Sequence, residues 1–274
     1  MATINTNAGA MVALQNLNST NKQLEQVQSR INTGLAVASA RDNGGVFAIA
    51  QTMRSDVRGY GAVKNSLDLA QSTTDVALAA GEAISDLLIE MKEKALAASD
   101  SSLDTASRTA LNEDFKALRD QIGTIVENAE FNGTNLIENG GSNITALANA
   151  SGSNTITIRA EDLSLTGTTL TITAGTQINT AATASAAATA IDTSISNLNS
   201  SLARLGTGSK ALEIHKTFIG KLSDALEKGI GNLVDADLAK ESARLQSLQV
   251  KQQLGVQALS IANQAPSSIL GYFR

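Results

Sequence analysis

The chain has one histidine, His215, and imidazole is the side chain best suited to move a proton near neutral pH. Its acidic neighbour Glu213 is two residues away, a spacing that a helix turns to a different side. No His-Glu-x-x-His spacing surrounds it, so His215 is read as a helix-face residue beside Leu212 and Ile219. Glu113-Asp114 and Glu161-Asp162 offer adjacent carboxylates. General acid–base work needs carboxylates that converge on a pocket, and sequence neighbours on a helix diverge, so both pairs are read as solvated. Gly206-Thr207-Gly208-Ser209-Lys210 carries the glycines and lysine of a phosphate cradle. It lacks the full spacing and the strand that should precede it. Cysteine is absent, which excludes thiolate catalysis, disulfides and Cys-ligated zinc. No convergent polar site emerges, so the chain is expected not to be an enzyme and to hold no metal or cofactor.

The elements that would have to position a site are unusual in their own right. The 274 residues are 42% hydrophobic but only 3% aromatic, with no Trp and a single Pro. Ala, Leu, Ile and Val must therefore fill the core, which suits helix packed on helix, and long uninterrupted helices are permitted. A net charge of −5 and a pI near 5.0, with no basic stripe interleaved with aromatics, argue against a nucleic-acid partner. No run approaches 18 apolar residues, so no membrane insertion is expected. Met1 to Leu17 contains no Lys or Arg and no continuous apolar core, unlike a cleaved secretory signal.

Apolar residues step by threes and fours along most of the chain. The first run is Ile4, Met11, Leu14, Leu17, Leu24, Val27, Ile31 and Leu35, and Asp42-Asn43-Gly44-Gly45 is expected to break it. From Val46 to Ala98 the steps fit one helix of roughly 80 Å. Ser99 to Asp104 should turn the chain, with Asp104 capping a third helix that carries Leu111, Phe115, Leu118, Ile122, Ile125 and Ala129. Residues 139–190 differ: about a third are Ser or Thr, and Arg159, Glu161 and Asp162 are the only charges. There Thr155–Ile158 and Leu170–Thr173 alternate apolar and polar, as half-buried strands do, while Thr180–Thr189 reads as loop or helix start. Helical spacing returns from Ile191 to Leu226, Gly229 and Gly231 are expected to interrupt it, and a last run follows with Leu238, Leu245, Leu248, Leu259, Ile269 and Phe273.

The expected fold class is mainly α: an elongated antiparallel helical or coiled-coil rod with a small β-hairpin element in the middle. The first helix should pair with the last and the inner helices with each other. The expected segments are 1–43 and 232–274 as the two parts of a terminal coiled coil. Residues 44–138 and 191–231 are the two parts of an inner rod, with 139–190 between them. Asp42, Asn43, Gly44, Gly45, Gly229 and Gly231 would connect terminal to inner parts. Two paired terminal helices leave much of each apolar stripe in water. Ile4, Met11, Leu14, Leu17, Leu24, Val27, Ile31, Leu238, Leu245, Leu248, Leu259, Ile269 and Phe273 are therefore expected to form a seam that other subunits cover, the ends ordering as they bind.

Several local sequences, in order, resemble the bacterial flagellins: Ile4-Asn5-Thr6-Asn7, Arg30-Ile31-Asn32-Thr33-Gly34-Leu35, Ser39-Ala40-Arg41-Asp42, Ala48-Ile49-Ala50 and Phe131-Asn132-Gly133. Asp235-Ala236-Asp237 and Ala262-Asn263-Gln264-Ala265-Pro266, with Leu270 and Arg274, continue the likeness at the far end. The resemblance is to short alphaproteobacterial flagellins without surface insertions. Where flagellins commonly have Asp-Asp-Ala-Ala-Gly, this chain has Asp42-Asn43-Gly44-Gly45-Val46. The resemblance implies a secreted subunit of the extracellular flagellum that polymerises with itself, and with any sister flagellins, into the swimming filament. It implies export by the flagellar type III apparatus with an export chaperone, and contact with hook-associated proteins and the filament cap. A hook–filament junction protein, which has similar ends, is the alternative. Asn132-Gly133-Thr134, Asn143-Ile144-Thr145 and Asn149-Ala150-Ser151 fit the N-glycosylation pattern, a chance match in a bacterial protein; O-linked sugars on the central Ser/Thr are what the family suggests. Many flagellins are sensed by an innate immune receptor through a Leu-Gln-Arg-x-Arg-Glu-Leu-like patch. Here Glu90 and Lys94 stand where the patch favours Arg and Leu, and Asp114 replaces a Glu.

Overall fold

The computed structural model describes residues 6–270, with side chains as far as Gln264. Ile4 and Phe273, and the side chain of Ile269, lie outside the described residues. Five helices and two strand pairs appear among those residues: α1 (Ala8–Thr33), α2 (Gly44–Ala98), α3 (Thr105–Asn128), β1 (Glu130–Phe131), β2 (Thr134–Asn135), β3 (Ile144–Leu147), β4 (Thr155–Ile158), α4 (Ala181–Val234) and α5 (Leu238–Leu270). The mainly α class with small β elements is as expected. Two compact units form: Met1–Ser55 with Ala225–Arg274, the terminal unit, and Asp56–Asp224, the inner unit.

Helix ends are set by local chemistry. The Asn7 side chain accepts a 3.0 Å bond from the Ala10 N–H and caps α1. Gly34, at φ 71°, supplies the left-handed residue that stops it. Leu35 therefore falls outside α1. Asn43 Oδ1 accepts from the Val46 N–H at 3.2 Å, so Gly44 and Gly45 open α2 and do not break the chain. The true break is Gly34 to Asn43. Asp104 caps α3 through the Ser107 N–H, as expected. Thr180 does the same for α4, accepting from the Thr183 N–H at 3.1 Å.

The expected interruption at Gly229 and Gly231 is absent, because α4 runs through both to Val234. An interior glycine costs about 1 kcal/mol against alanine, too little to end a 54-residue helix that packs elsewhere. The chain breaks instead at Asp235–Asp237, where the Asp237 carboxylate accepts from the Ala239 and Lys240 N–H groups and starts α5.

In the inner unit α2 and α4 run antiparallel. Gln71 bonds to Ser209, Gly81 faces Leu202 and Lys92 pairs with Asp192. Helix α3 folds back on them: Arg108 donates to the carbonyls of Ala98 and Asp100 at the turn. The buried core runs through Leu67, Ile84, Leu88, Met91, Phe115, Ile122, Ile191 and Leu198. Asn132 (φ 50°) and Gly133 (φ 78°) make the two-residue turn joining β1 to β2. Strand β4 is Thr155–Ile158 as expected, but its antiparallel partner is β3. Leu170–Thr173 is not a strand. Leu170 and Ile172 are buried in alternation, yet the segment bonds to a helix: the Thr171 N–H donates to Ser194 Oγ, and Asn197 donates to the Thr169 carbonyl. Alternating burial reports one covered side, not the identity of the cover.

Candidate assembly surface

Among the described residues, the side chains singled out for chemistry lie apart from one another. His215 sits half-buried on α4 with Nε2 2.8 Å from the Ala148 carbonyl oxygen and its ring beside Phe218. Glu113 pairs with Lys116 in the next turn, while Glu161 is held by Arg204. The Arg204 guanidinium holds the Glu161 carboxyl below the usual carboxylate range. Gly206–Lys210 lies inside α4, so its N–H groups serve the helix and cradle nothing. Among the described residues no cluster of His, Cys, Asp or Glu has a metal-binding arrangement, and no helix is long and apolar enough to cross a membrane.

The terminal unit is organised by the antiparallel pairing of α1 and α5. Asn7 Nδ2 donates to the Ala262 carbonyl at 2.6 Å, Leu17 lies against Gly255, Gln252 donates to Asn21 at 2.8 Å, and Arg30 bonds to Glu241 at 3.0 Å. Beyond the helix ends Leu35 and Asp235 form an antiparallel bridge. The Ala236 N–H donates to the Gly34 carbonyl and the Ala36 N–H to that of Val234. Asp42 folds its own loop by accepting from the Ser39 backbone and hydroxyl and from the Ala38 N–H. Those bonds, the Ser39 backbone N–H first, lower its pKa below 3.8, with Arg30 adding a smaller pull.

Sequence reasoning placed one stripe along each terminal helix; the structure divides it. Val27 and Leu248 are fully covered, and Leu17, Leu24, Ile31, Leu245 and Leu259 are half-covered. Met11 is 66% exposed, and Leu14 and Leu238 are about half exposed. The sequence reading missed Val12, Val250, Leu254, Val256 and Ile261, which are also open. They sit off the regular three-four steps, on faces that only a second partner could cover, so periodicity tuned to one seam passes over them. In the inner unit Lys94 and Asp114 form an ion pair of 3.2 Å between α2 and α3, while Glu90 is exposed and apart.

A helical subunit with a closed inner core and paired chain ends that leave aliphatic faces open belongs to the class of self-assembling structural proteins. The family model for the bacterial flagellin N-terminal helical region matches residues 4–141, and that for the C-terminal helical region matches residues 188–273. The chain belongs to the bacterial flagellin family. It is 57% identical to flagellin FljK of Caulobacter vibrioides over 99% of this chain and 98% of that protein. It is 39% identical to a flagellin of Brucella melitensis over the whole of both. The crystal structure of Bacillus cereus flagellin aligns with a TM-score of 0.50 at 28% identity, covering 56% of this chain and 88% of that one. A putative hook-associated protein from Vibrio parahaemolyticus aligns at 0.57 over 71% of this chain and 100% of that one; at 14% identity it shares the fold alone. The protein is a structural subunit of the flagellar filament, the helical polymer of swimming motility.

Proposed function

We propose that the open aliphatic faces of α1 and α5 are the surface through which subunits join. The observation that carries this is the exposure of Met11, Val12, Leu14, Leu254, Val256 and Ile261 around a pair whose only fully buried seam residues are Val27 and Leu248 among those described. Burying such groups against neighbours is favourable at about 25 cal/mol per Å² of apolar surface. The breaks at Gly34–Asn43, ordered by Asp42 and Asn43, and at Asp235–Asp237, ordered by Asp237, both lie within the terminal unit, where they let α1 and α5 turn away from α2 and α4 and pair; Gly44, Gly45, Gly229 and Gly231 belong to the adjoining helices. The protein acts without catalysis or cofactor. It leaves the cell through the flagellar type III apparatus with an export chaperone, meets hook-associated proteins and the filament cap, and works outside the cell. The test is electron microscopy of Met11→Asp and Leu254→Asp under polymerising conditions, with Leu24→Asp and Leu248→Asp beside them. Charged residues on a face that becomes dry are strongly disfavoured, so filaments should fail in all four. Normal filaments from Met11→Asp and Leu254→Asp would overturn the reading.

The same family reading makes this subunit a weak ligand of the innate receptor. Glu90 presents the wrong charge, and Lys94 is a hydrated ammonium already engaged by Asp114. Two lost hot-spot contacts of about 2 kcal/mol each correspond to roughly a thousandfold in affinity. A titration of receptor ectodomain should show gain for a Glu90→Arg, Lys94→Leu double variant. Nanomolar binding by the unaltered chain, or no gain in the variant, would remove the proposal.

A further inference from the structure

The aliphatic seam of the terminal unit does not define its own register. On α1, Leu17, Leu24 and Ile31 recur at intervals of seven; on α5, Leu238, Leu245 and Leu259 recur at seven and twice seven. Sliding one helix along the other by seven residues, about 10 Å at 1.5 Å per residue, puts one aliphatic where another was, except where Gln252 interrupts the series. The polar contacts have no such degeneracy. Arg30 Nη1 meets Glu241 Oε1 at 3.0 Å, and Gln252 meets Asn21 at 2.8 Å. Glu241 is 8% exposed. A slide one way sets Arg30 beside Leu248 and Glu241 beside Val37; the other way sets them beside Val234 and Gln23. Either leaves a buried charge without its partner, which is strongly disfavoured.

The pair is poorly suited to a role in stability alone. Arg30 Nε and Glu241 Oε2 are buried and make no hydrogen bond, so desolvation is incompletely offset, and an aliphatic pair would pack there at least as well. Its position suits register. Arg30 is in the last turn of α1 and Glu241 in the first turn of α5, where each charge is favoured by its helix dipole. The Leu35–Asp235 bridge lies immediately beyond. We propose that Arg30 and Glu241, assisted by Asn21 and Gln252, are the positioning residues that fix the α1–α5 register and thereby which aliphatic residues each subunit presents to its neighbours. Only the last clause rests on the assembly reading above.

Engineered disulfides in the full chain, which has no cysteine of its own, read the register directly. A Cβ at Gly255 would lie 3.8 Å from that of Leu17, within disulfide range. Leu17→Cys with Gly255→Cys therefore reports the native register. Leu17→Cys with Ala262→Cys, and Ala10→Cys with Gly255→Cys, report the two slid ones. Polymerised material is oxidised and scored for intrachain bonds, in the unaltered background and with Arg30→Leu/Glu241→Leu. The unaltered background should give the native bond alone; the leucine pair should add slid bonds. In parallel, Arg30→Glu and Glu241→Arg should each lose about a hundredfold in filament yield, as breaking one partner of a buried pair does. The charge-swapped double variant should recover most of it. Native bonds alone at natural yield in the leucine pair, or a swap no better than either single, would overturn the proposal. Normal filaments from Met11→Asp and Leu254→Asp would sink the assembly reading and leave the disulfide result untouched.

Discussion

The inner and terminal units meet the same difficulty, an aliphatic stripe that water must not reach, with different resources. In the inner unit three helices, a hairpin and the irregular strap through Leu163, Leu170, Ile172 and Ile178 close around the stripe, leaving Leu88, Phe115 and Ile122 with no exposure. In the α1–α5 pair of the terminal unit two helices bury one narrow seam, and Met11, Leu14, Leu254 and Ile261 stay open. Two cylinders share a single line of contact, whereas three or more enclose a volume. The stripes are alike in composition, so the number of covering elements, and not residue type, separates a core from an assembly surface.

The sharpest way to break this comparison is to cut side chains in each unit. Phe115→Ala should cost about 3–5 kcal/mol of subunit stability in urea unfolding. Leu254→Ala should change it little and reduce filament formation instead. A similar loss of subunit stability in both would mean that the terminal face is already a core. Next in size is the close approach of the β3–β4 hairpin to α2. A Cβ on Gly59 would lie 2.7 Å from the Ala150 Cβ and 3.2 Å from its Cα. Gly59→Ala should therefore destabilise the inner unit by about 1–3 kcal/mol, read by the same unfolding curve. Glu161→Gln leaves one acceptor for Arg204 but removes the carboxylate charge of a pair that is exposed on the Arg204 side and largely covered on the Glu161 side, and should cost about 1 kcal/mol.

The smallest effect is a pH effect. Asp104 has its pKa lowered by the Ser107 hydroxyl and N–H. A lowered folded value adds stability that is full above the ordinary carboxylate value and is lost as pH falls through the folded one. Inner-unit stability should therefore decline below about pH 3.8, and Asp104→Asn should flatten part of that decline.

Most of the helical fold was legible because its stripes are long and regular: α2 from Val46 to Ala98, the Asp104 cap and α3 all follow from spacing and capping chemistry. Breaks were harder. Gly44, Gly45, Gly229 and Gly231 look like breakers, but Gly34, Asn43 and Asp237 end and start helices here, because a positive φ or a side-chain acceptor acts where glycine alone only weakens. Strand β3 was missed since Ile144-Thr145-Ala146-Leu147 presents only Ala146 as a fully buried residue. Leu170–Thr173 has the strand pattern without a strand partner. The spacing on α1 and α5 picked out Val27 and Leu248, which are covered, together with Met11, Leu14 and Leu238, which are not, while the other open residues and the Arg30–Glu241 pair were not readable. Both depend on what lies across from a residue, which one helix's period does not record.

Hydrogen exchange at three amides tests the contrast between the units most directly: Met11 in α1, Leu259 in α5 and Leu118 in α3. In the isolated subunit Leu118 should be strongly protected and Met11 and Leu259 weakly, because only the inner unit encloses its stripe within one chain. In the filament all three should be protected. Equal protection of Met11, Leu259 and Leu118 in the isolated subunit would contradict the contrast, since the terminal helices would then be complete without their neighbours.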